Sequence, residues 1–131
     1  MISSINIFSL NIGLSNSLAG LSSILQCEQI DVIFLQEVRL PGSRIEYLLP
    51  GYKAVSNIDP ENPEKPGVAI AWQYTIPLQD VLSLELCRIQ MASLGPYKLF
   101  NIYGPSGSDK KKERILFYGR DLFNIFSTCL Q

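Results

Sequence analysis

The pattern of apolar and polar positions divides the chain into short elements. Ile5, Ile7 and Ser9 alternate with Asn6, Phe8 and Leu10, which predicts a first strand closing at Asn11. Gly13 and the Ser15-Asn16-Ser17 cluster break that alternation. Leu18, Leu21, Ile24 and Leu25 then recur at helical spacing, so residues 17–28 read as an amphipathic helix with Gly20 as its weak point. Asp31-Val-Ile-Phe-Leu-Gln-Glu-Val38 comes next. Its consecutive apolar residues, Val32 to Leu35, predict a strand buried on both faces, hence one inside a covered sheet. A strand, a helix and a second strand in this order predict a parallel pair joined by a right-handed crossover.

The remainder reads as an antiparallel meander. Arg39 to Ser43 is a loop, and Gly51 to Ser56 a short strand. Asn57 to Pro66, with three prolines and four charged residues, is an exposed hairpin loop. Gly67 to Trp72 is a strand of small residues. Pro77 interrupts the following segment, after which Leu84 to Ala92 alternates as one strand. Gly95-Pro96 turns the chain, and Tyr97 to Tyr103 runs back. Past the loop Tyr103 to Ser108, a last helix is predicted from near Asp109. Ile115, Leu116, Phe117, Leu122, Phe123, Ile125, Phe126 and Leu130 give it a broad apolar band, which predicts a well-buried helix. The sequence stops inside that helix without a cap, so residues 1–131 are expected to be a partial domain, truncated at the C-terminus.

Composition narrows the chemistry. The chain has 131 residues, 47% hydrophobic and 18% charged, which fits one globular domain and excludes disorder. A net charge of −1 gives nucleic-acid binding no support from bulk charge, so any basic patch must be local. Cys27, Cys87 and Cys129 are odd in number and lack paired metal spacing. They read as buried free thiols, and with no signal-peptide pattern at Met1 they suggest an intracellular protein, nuclear or cytoplasmic, that is not secreted. No apolar run is long enough to cross a bilayer. Histidine is absent, which excludes a Ser-His-Asp triad, a Cys-His pair and a histidine base or ligand. The first turn has neither a dinucleotide fingerprint nor a P-loop ending.

Parallel neighbours bring their C-terminal ends to one side of a sheet, where open α/β folds bind ligands. Asn11 and Glu37 stand at two such ends. Glu37 either begins a solvated loop or belongs to a site there. Lys110, Lys111, Lys112 and Arg114 crowd the start of the last helix, either as a solvated face or as a phosphate contact.

Asn11 after one strand, Leu35-Gln-Glu37 after a second, Gly67-Val-Ala-Ile70, and Asn101-Ile-Tyr103-x-Pro105-Ser106 leading into a basic helix form an ordered set. It resembles the endonuclease/exonuclease/phosphatase superfamily, and most closely the apurinic-type endonuclease domain of non-LTR retrotransposons. The resemblance implies an α/β (α+β) fold, the N-terminal half of a four-layer α/β sandwich with a mixed sheet. It also implies phosphoester hydrolysis with Mg²⁺, Mn²⁺ being possible, and DNA as the partner. Carried over, Glu37 is a metal ligand, Asn11 helps hold metal and phosphate, and Tyr103 faces the scissile phosphate. Ser106, where many such nucleases carry Asn, Lys110 and Lys112 are phosphate or nucleic-acid contacts. A Gly-Asp-x-Asn motif that positions the attacking water and a closing Ser-Asp-His do not occur in this sequence. The chain then reads as an inactive fragment needing its other half or a partner chain. A phosphatase or phosphodiesterase of the same superfamily, and a non-catalytic interaction module, are the alternatives.

Overall fold

The computed structural model describes residues 4–13, 21, 25, 29–105, 110–122 and 124–125. Two sheets carry the fold. The first has the order β1-β2-β4-β3, made of β1 (Ile7–Asn11), β2 (Val32–Val38), β3 (Tyr52–Asn57) and β4 (Gly67–Gln73). The second has the order β5-β6-β7, made of β5 (Leu78–Glu85), β6 (Ile89–Leu94) and β7 (Tyr97–Ile102). β1 and β2 are parallel, with Ile7 opposite Val32 and Asn11 opposite Gln36, whereas every other pairing is antiparallel. This is the mixed sheet that the resemblance implied.

Side-chain parity along β2 explains the layering. Val32 and Phe34 point to the second sheet and, with Ile70 and Trp72 of β4, pack on Leu78, Ala92 and Leu94. Ile33 and Leu35 point the other way, onto Leu21, Leu25, Ile45 and Leu49. Val32, Ile33 and Leu35 have no exposed surface, as a central strand requires. Only Leu21 and Leu25 of the helix expected over 17–28 are described; both are helical and buried, and the rest of that element and its crossover lie outside the described residues.

Three sequence expectations change. A helix, α1 (Gly42–Leu48), occupies part of what read as loop and unassigned chain. Pro41 stands at its N-cap, and Ile45 and Leu49, four apart, bury against the first sheet. The apparent strand over 84–92 is the end of β5, a turn and the start of β6. The alternation runs straight across the turn, which Cys87 closes at φ 64°. Finally, the last helix is not uniformly buried. It comprises α2 (Lys111–Leu116) and a π-helical turn (Phe117–Asp121), with Phe117 buried but Ile115 62% and Leu116 48% exposed. Among the cysteines, Cys87 is free and buried, while Cys27 and Cys129 lie outside the described residues. No described helix is long and apolar enough to cross a membrane.

A ladder of side-chain amides joins the sheets. Asn101 on β7 is 1% exposed and donates from Nδ2 to the Leu35 carbonyl (3.2 Å), the Ala69 carbonyl (2.8 Å) and Gln90 Oε1 (3.2 Å). Gln36 donates to Asn101 Oδ1 at 2.9 Å, and Gln90 donates to the Val55 carbonyl at 2.8 Å. Among the described residues no buried side-chain nitrogen or oxygen lacks a partner. Asn101→Ala should therefore cost about 3 kcal/mol, from orphaned partners plus a small cavity. Asn101→Asp should cost more at neutral pH, because a carboxylate faces carbonyl oxygens there with no donor of its own. Urea melts of the three proteins check this order.

Tyr52 supplies a pH signature. Its hydroxyl donates to the Ile30 carbonyl. Burial pushes the phenol above 10.0; the hydrogen bond from Gln73 opposes the rise and the Asp31 carboxylate adds to it. The neutral form is favoured in the folded state, so this stability is complete below the unfolded pKa near 10 and is lost as pH rises through the folded value. Tyr52→Phe should flatten that alkaline loss in thermal melts taken between pH 8 and 11, at a cost of about 1 kcal/mol at neutral pH for the missing hydrogen bond.

Candidate active site

The end of β2 departs from regular pairing. Gln36 keeps the parity of Val32 and Phe34 and turns toward Asn101. Glu37 should then follow Ile33 and Leu35 into the helical layer, where a carboxylate would be desolvated without a partner. Instead the register against β4 shifts between Gln36 and Val38, and Glu37 adopts φ 59°. Val38, fully buried, resumes the helix-facing row in its place. The bulge thus inserts one residue and re-aims its side chain, at a conformational cost of roughly 1–2 kcal/mol for a residue other than glycine. Strain of this kind at a strand end points to function.

Three elements meet the redirected carboxylate. Tyr103, the residue after β7, donates its hydroxyl to Glu37 Oε1 at 3.3 Å. Asn11 closes β1, and its Oδ1 accepts from the Gly13 backbone at 3.0 Å, an Asx turn that curls the chain around the amide oxygen. Gly13 lies at φ 57°, and a Cβ there would sit 3.6 Å from Glu37 Oε2 and 3.9 Å from Asn11 Oδ1. The missing side chain leaves a cradle faced by a carboxylate oxygen and an amide oxygen. Arg39 adds a cation at its rim, donating from Nη1 to the Gly13 carbonyl (3.5 Å) and from Nε to the Glu64 carbonyl (2.8 Å).

Asn11, Glu37 and Tyr103, singled out from the sequence, therefore share one location. Of the other three candidates, those among the described residues have no bond to them. Ser106 lies outside the described residues. Lys110 pairs with Glu113 at 3.3 Å on the surface, and neither Lys110 nor the exposed Lys112 bonds to Glu37, Asn11 or Tyr103. α2 has six residues and so offers only a short dipole. Sequence reasoning passed over Gly13 and Arg39. The glycine two residues after a strand-terminal Asn was the available signal for the first; nothing marked the second.

Solved structures with this arrangement of strands exist. TDP2 from Caenorhabditis elegans matches at a TM-score of 0.65 and 22% identity, over 94% of this chain and 42% of its own. An AP endonuclease from Archaeoglobus fulgidus matches at 0.69 and 20%, over 89% and 49%. TDP2 from D. rerio, complexed with a single-strand DNA product, matches at 0.62 and 21%, over 95% and 55%. The chain has the endonuclease/exonuclease/phosphatase fold. It spans about half the length of the solved chains it matches. No family model and no curated protein matches the sequence.

Within the endonuclease/exonuclease/phosphatase fold, the described residues offer hard oxygen donors at this position. Mg²⁺ commonly takes one or two carboxylates and keeps several waters, and Glu37 with Asn11 around the Gly13 cradle fits that donor set. No group of three or more Cys, Asp or Glu that could hold a metal ion occurs among the described residues, so Glu37 and Asn11 would supply only part of a coordination shell.

The strain at Glu37 gives a stability test that separates function from folding. Glu37→Gly removes the carboxylate and its bond to Tyr103 but relieves φ 59°. Folding stability should hold within about 1 kcal/mol of the original or rise. A loss of several kcal/mol in urea melts would show instead that Glu37 is a structural residue.

Proposed function

We propose that this chain carries one half of a Mg²⁺-dependent site that hydrolyses phosphodiesters in DNA, and that by itself it is inactive. The observation that carries the reading is the strained bulge presenting Glu37 Oε2 beside Asn11 Oδ1, with Tyr103 on the other carboxylate oxygen. Glu37 and Asn11 would hold the ion, for which Mn²⁺ could substitute. The ion supplies charge stabilisation at phosphoryl oxygens and a more acidic bound water. Tyr103 offers a hydroxyl donor to a developing oxyanion, and Arg39 a cation for the phosphate backbone. DNA as substrate rests on the neighbours, two of which are an AP endonuclease and a TDP2 complexed with a DNA product. The retroelement-type endonuclease branch rests on the Leu35-Gln-Glu37 and Asn101-Ile-Tyr103 motifs. Ser106, Lys110 and Lys112 stay as candidate backbone contacts.

Incompleteness is part of the proposal. The 42–55% coverage of those neighbours supports reading residues 1–131 as the N-terminal half of a domain. The water-positioning Asp and the His that the resemblance implies would come from elsewhere. A second reading, an interaction module, is favoured by a groove of about 450 Å³ between the outermost strands of the two sheets. Ile5, Ile7, Leu94, Tyr97 and Leu99 line it, and Ile7 and Tyr97 are 46% and 69% exposed. Such an apolar opening suits a docking half or partner.

Two measurements test the proposal. The chain alone, incubated with Mg²⁺ and abasic or supercoiled DNA, should nick no faster than Glu37→Ala, because groups acting as a unit lose most of their rate when one is absent. Fused to the complementary half of a relative, it should nick in Mg²⁺. In that fusion Glu37→Gln should weaken apparent Mg²⁺ affinity by at least the roughly 10- to 100-fold typical of lost outer-sphere partners. Coincident Mg²⁺ titration curves for Gln and Glu at position 37 would refute the ligand role.

A further inference from the structure

Arg88 is bonded to Tyr103, the residue whose hydroxyl reaches Glu37. It lies in the β5–β6 turn, between Cys87 and the first residue of β6. The Tyr103 amide donates to the Arg88 carbonyl at 2.8 Å, and Arg88 Nη1 donates back to the Tyr103 carbonyl at 3.2 Å. Its guanidinium also lies 5.1 Å from the centre of the Tyr103 ring, within cation–π range. The two backbone-directed bonds fix where Tyr103 starts, and the stacked guanidinium fixes where its ring points. Tyr103 follows the last ladder pair of β7, Ile89 with Ile102, so its main chain is held by the bond to the Arg88 carbonyl and its ring by the Arg88 side chain.

The Arg88 turn is in turn fixed from the first sheet. Asn57, 3% exposed at the end of β3, accepts from the Cys87 amide at 3.1 Å. It donates to the carbonyls of Glu85 (2.7 Å) and Ile89 (3.2 Å). Asn57 thus holds the backbone on both sides of Arg88, and Arg88 in turn touches Tyr103, whose hydroxyl reaches Glu37 Oε1. The far oxygen, Oε2, is the one left facing the cradle at Gly13.

We propose that Arg88 is a positioning residue that holds the Tyr103 hydroxyl on Glu37 Oε1 and so commits Glu37 Oε2 to a divalent cation. This rests on the metal-site reading above. Arginine suits the task better than lysine, because a planar fork can stack on the ring and donate to the backbone at once. Glu85, Glu113 and Arg120 line a cavity of about 200 Å³ with Arg88; they are the charged groups that share its surroundings.

The test uses the intact chain and Mn²⁺ alone, with free metal followed by electron paramagnetic resonance. Tyr103→Phe should weaken Mn²⁺ binding about tenfold, the lower range for an outer partner of a ligand. Arg88→Met should weaken it by a similar factor. The double variant should be no worse than the poorer single one, since both remove the same contact. Arg88→Lys should recover only part of the affinity, and it carries the test if Arg88→Met does not fold. The Tyr103 ring resonances should shift on adding Mg²⁺ in the original protein and lose that response in Arg88→Met. A purely structural arginine would lower the melting temperature without this non-additivity. Unchanged Mn²⁺ affinity in Arg88→Met, or factors that multiply in the double variant, would overturn the proposal while leaving the metal site standing. Absence of any Glu37-dependent Mn²⁺ binding in the original chain would remove the metal site and this inference together.

Discussion

The contact between the sheets depends on one buried amide. Asn101 has no access to water, yet it lies between two sheets packed through Val32, Ile70, Ala92 and Leu94. An unmatched polar group there would cost about 1–3 kcal/mol. Leu35, Ala69, Gln90 and Gln36 satisfy it completely, and those partners come from β2, β4 and β6. An apolar interface tolerates small slips between sheets. A hydrogen-bonded amide does not, because each bond fails within a fraction of an ångström. The ladder therefore sets the relative register of the sheets, and everything at their ends inherits that setting.

The site is the first beneficiary. Tyr103 is two residues past Asn101, and Glu37 is next to Gln36, the residue that donates to Asn101. Tyr103 and Glu37 meet at 3.3 Å because both leave the same anchored crossing. Asn57 repeats the device at the neighbouring corner, tying β3 to the β5–β6 turn. The two amide anchors thus bracket the corner of the molecule where the carboxylate, the phenol and Arg88 assemble.

How far the sequence revealed this depends on the range of each signal. Glu37 and Asn11 were legible because each ends a strand whose periodicity is local. The parallel pairing that unites them follows from the strand-helix-strand order alone. Tyr103 entered through its motif and not through any pattern of its own. Asn57 and Arg88 were opaque, since their importance lies in contacts some 30 and 15 residues away. The alternation over 84–92 concealed the turn at Cys87, because a tight hairpin can preserve a two-residue period while reversing direction. α1 went unseen because Pro41-Gly42 looks like punctuation, although Ile45 and Leu49 carry its helical spacing. Glu37 was recognised as a carboxylate at a strand end; the positive φ that aims it was not, since nothing in Leu35-Gln-Glu-Val38 announces a bulge.

The amide ladder also has a meaning for how the protein breathes. The side-chain hydrogens of Asn101 and Gln90 have no route to solvent while the sheets are in contact. Fraying of an outer strand leaves them sealed, and only a separation of one sheet from the other exposes them. Their exchange with heavy water therefore isolates a single event, the parting of the sandwich, from all the local motions that dominate the backbone amides. Any ligand or partner that bridges the two sheets would slow those few hydrogens selectively, wherever on the surface it binds.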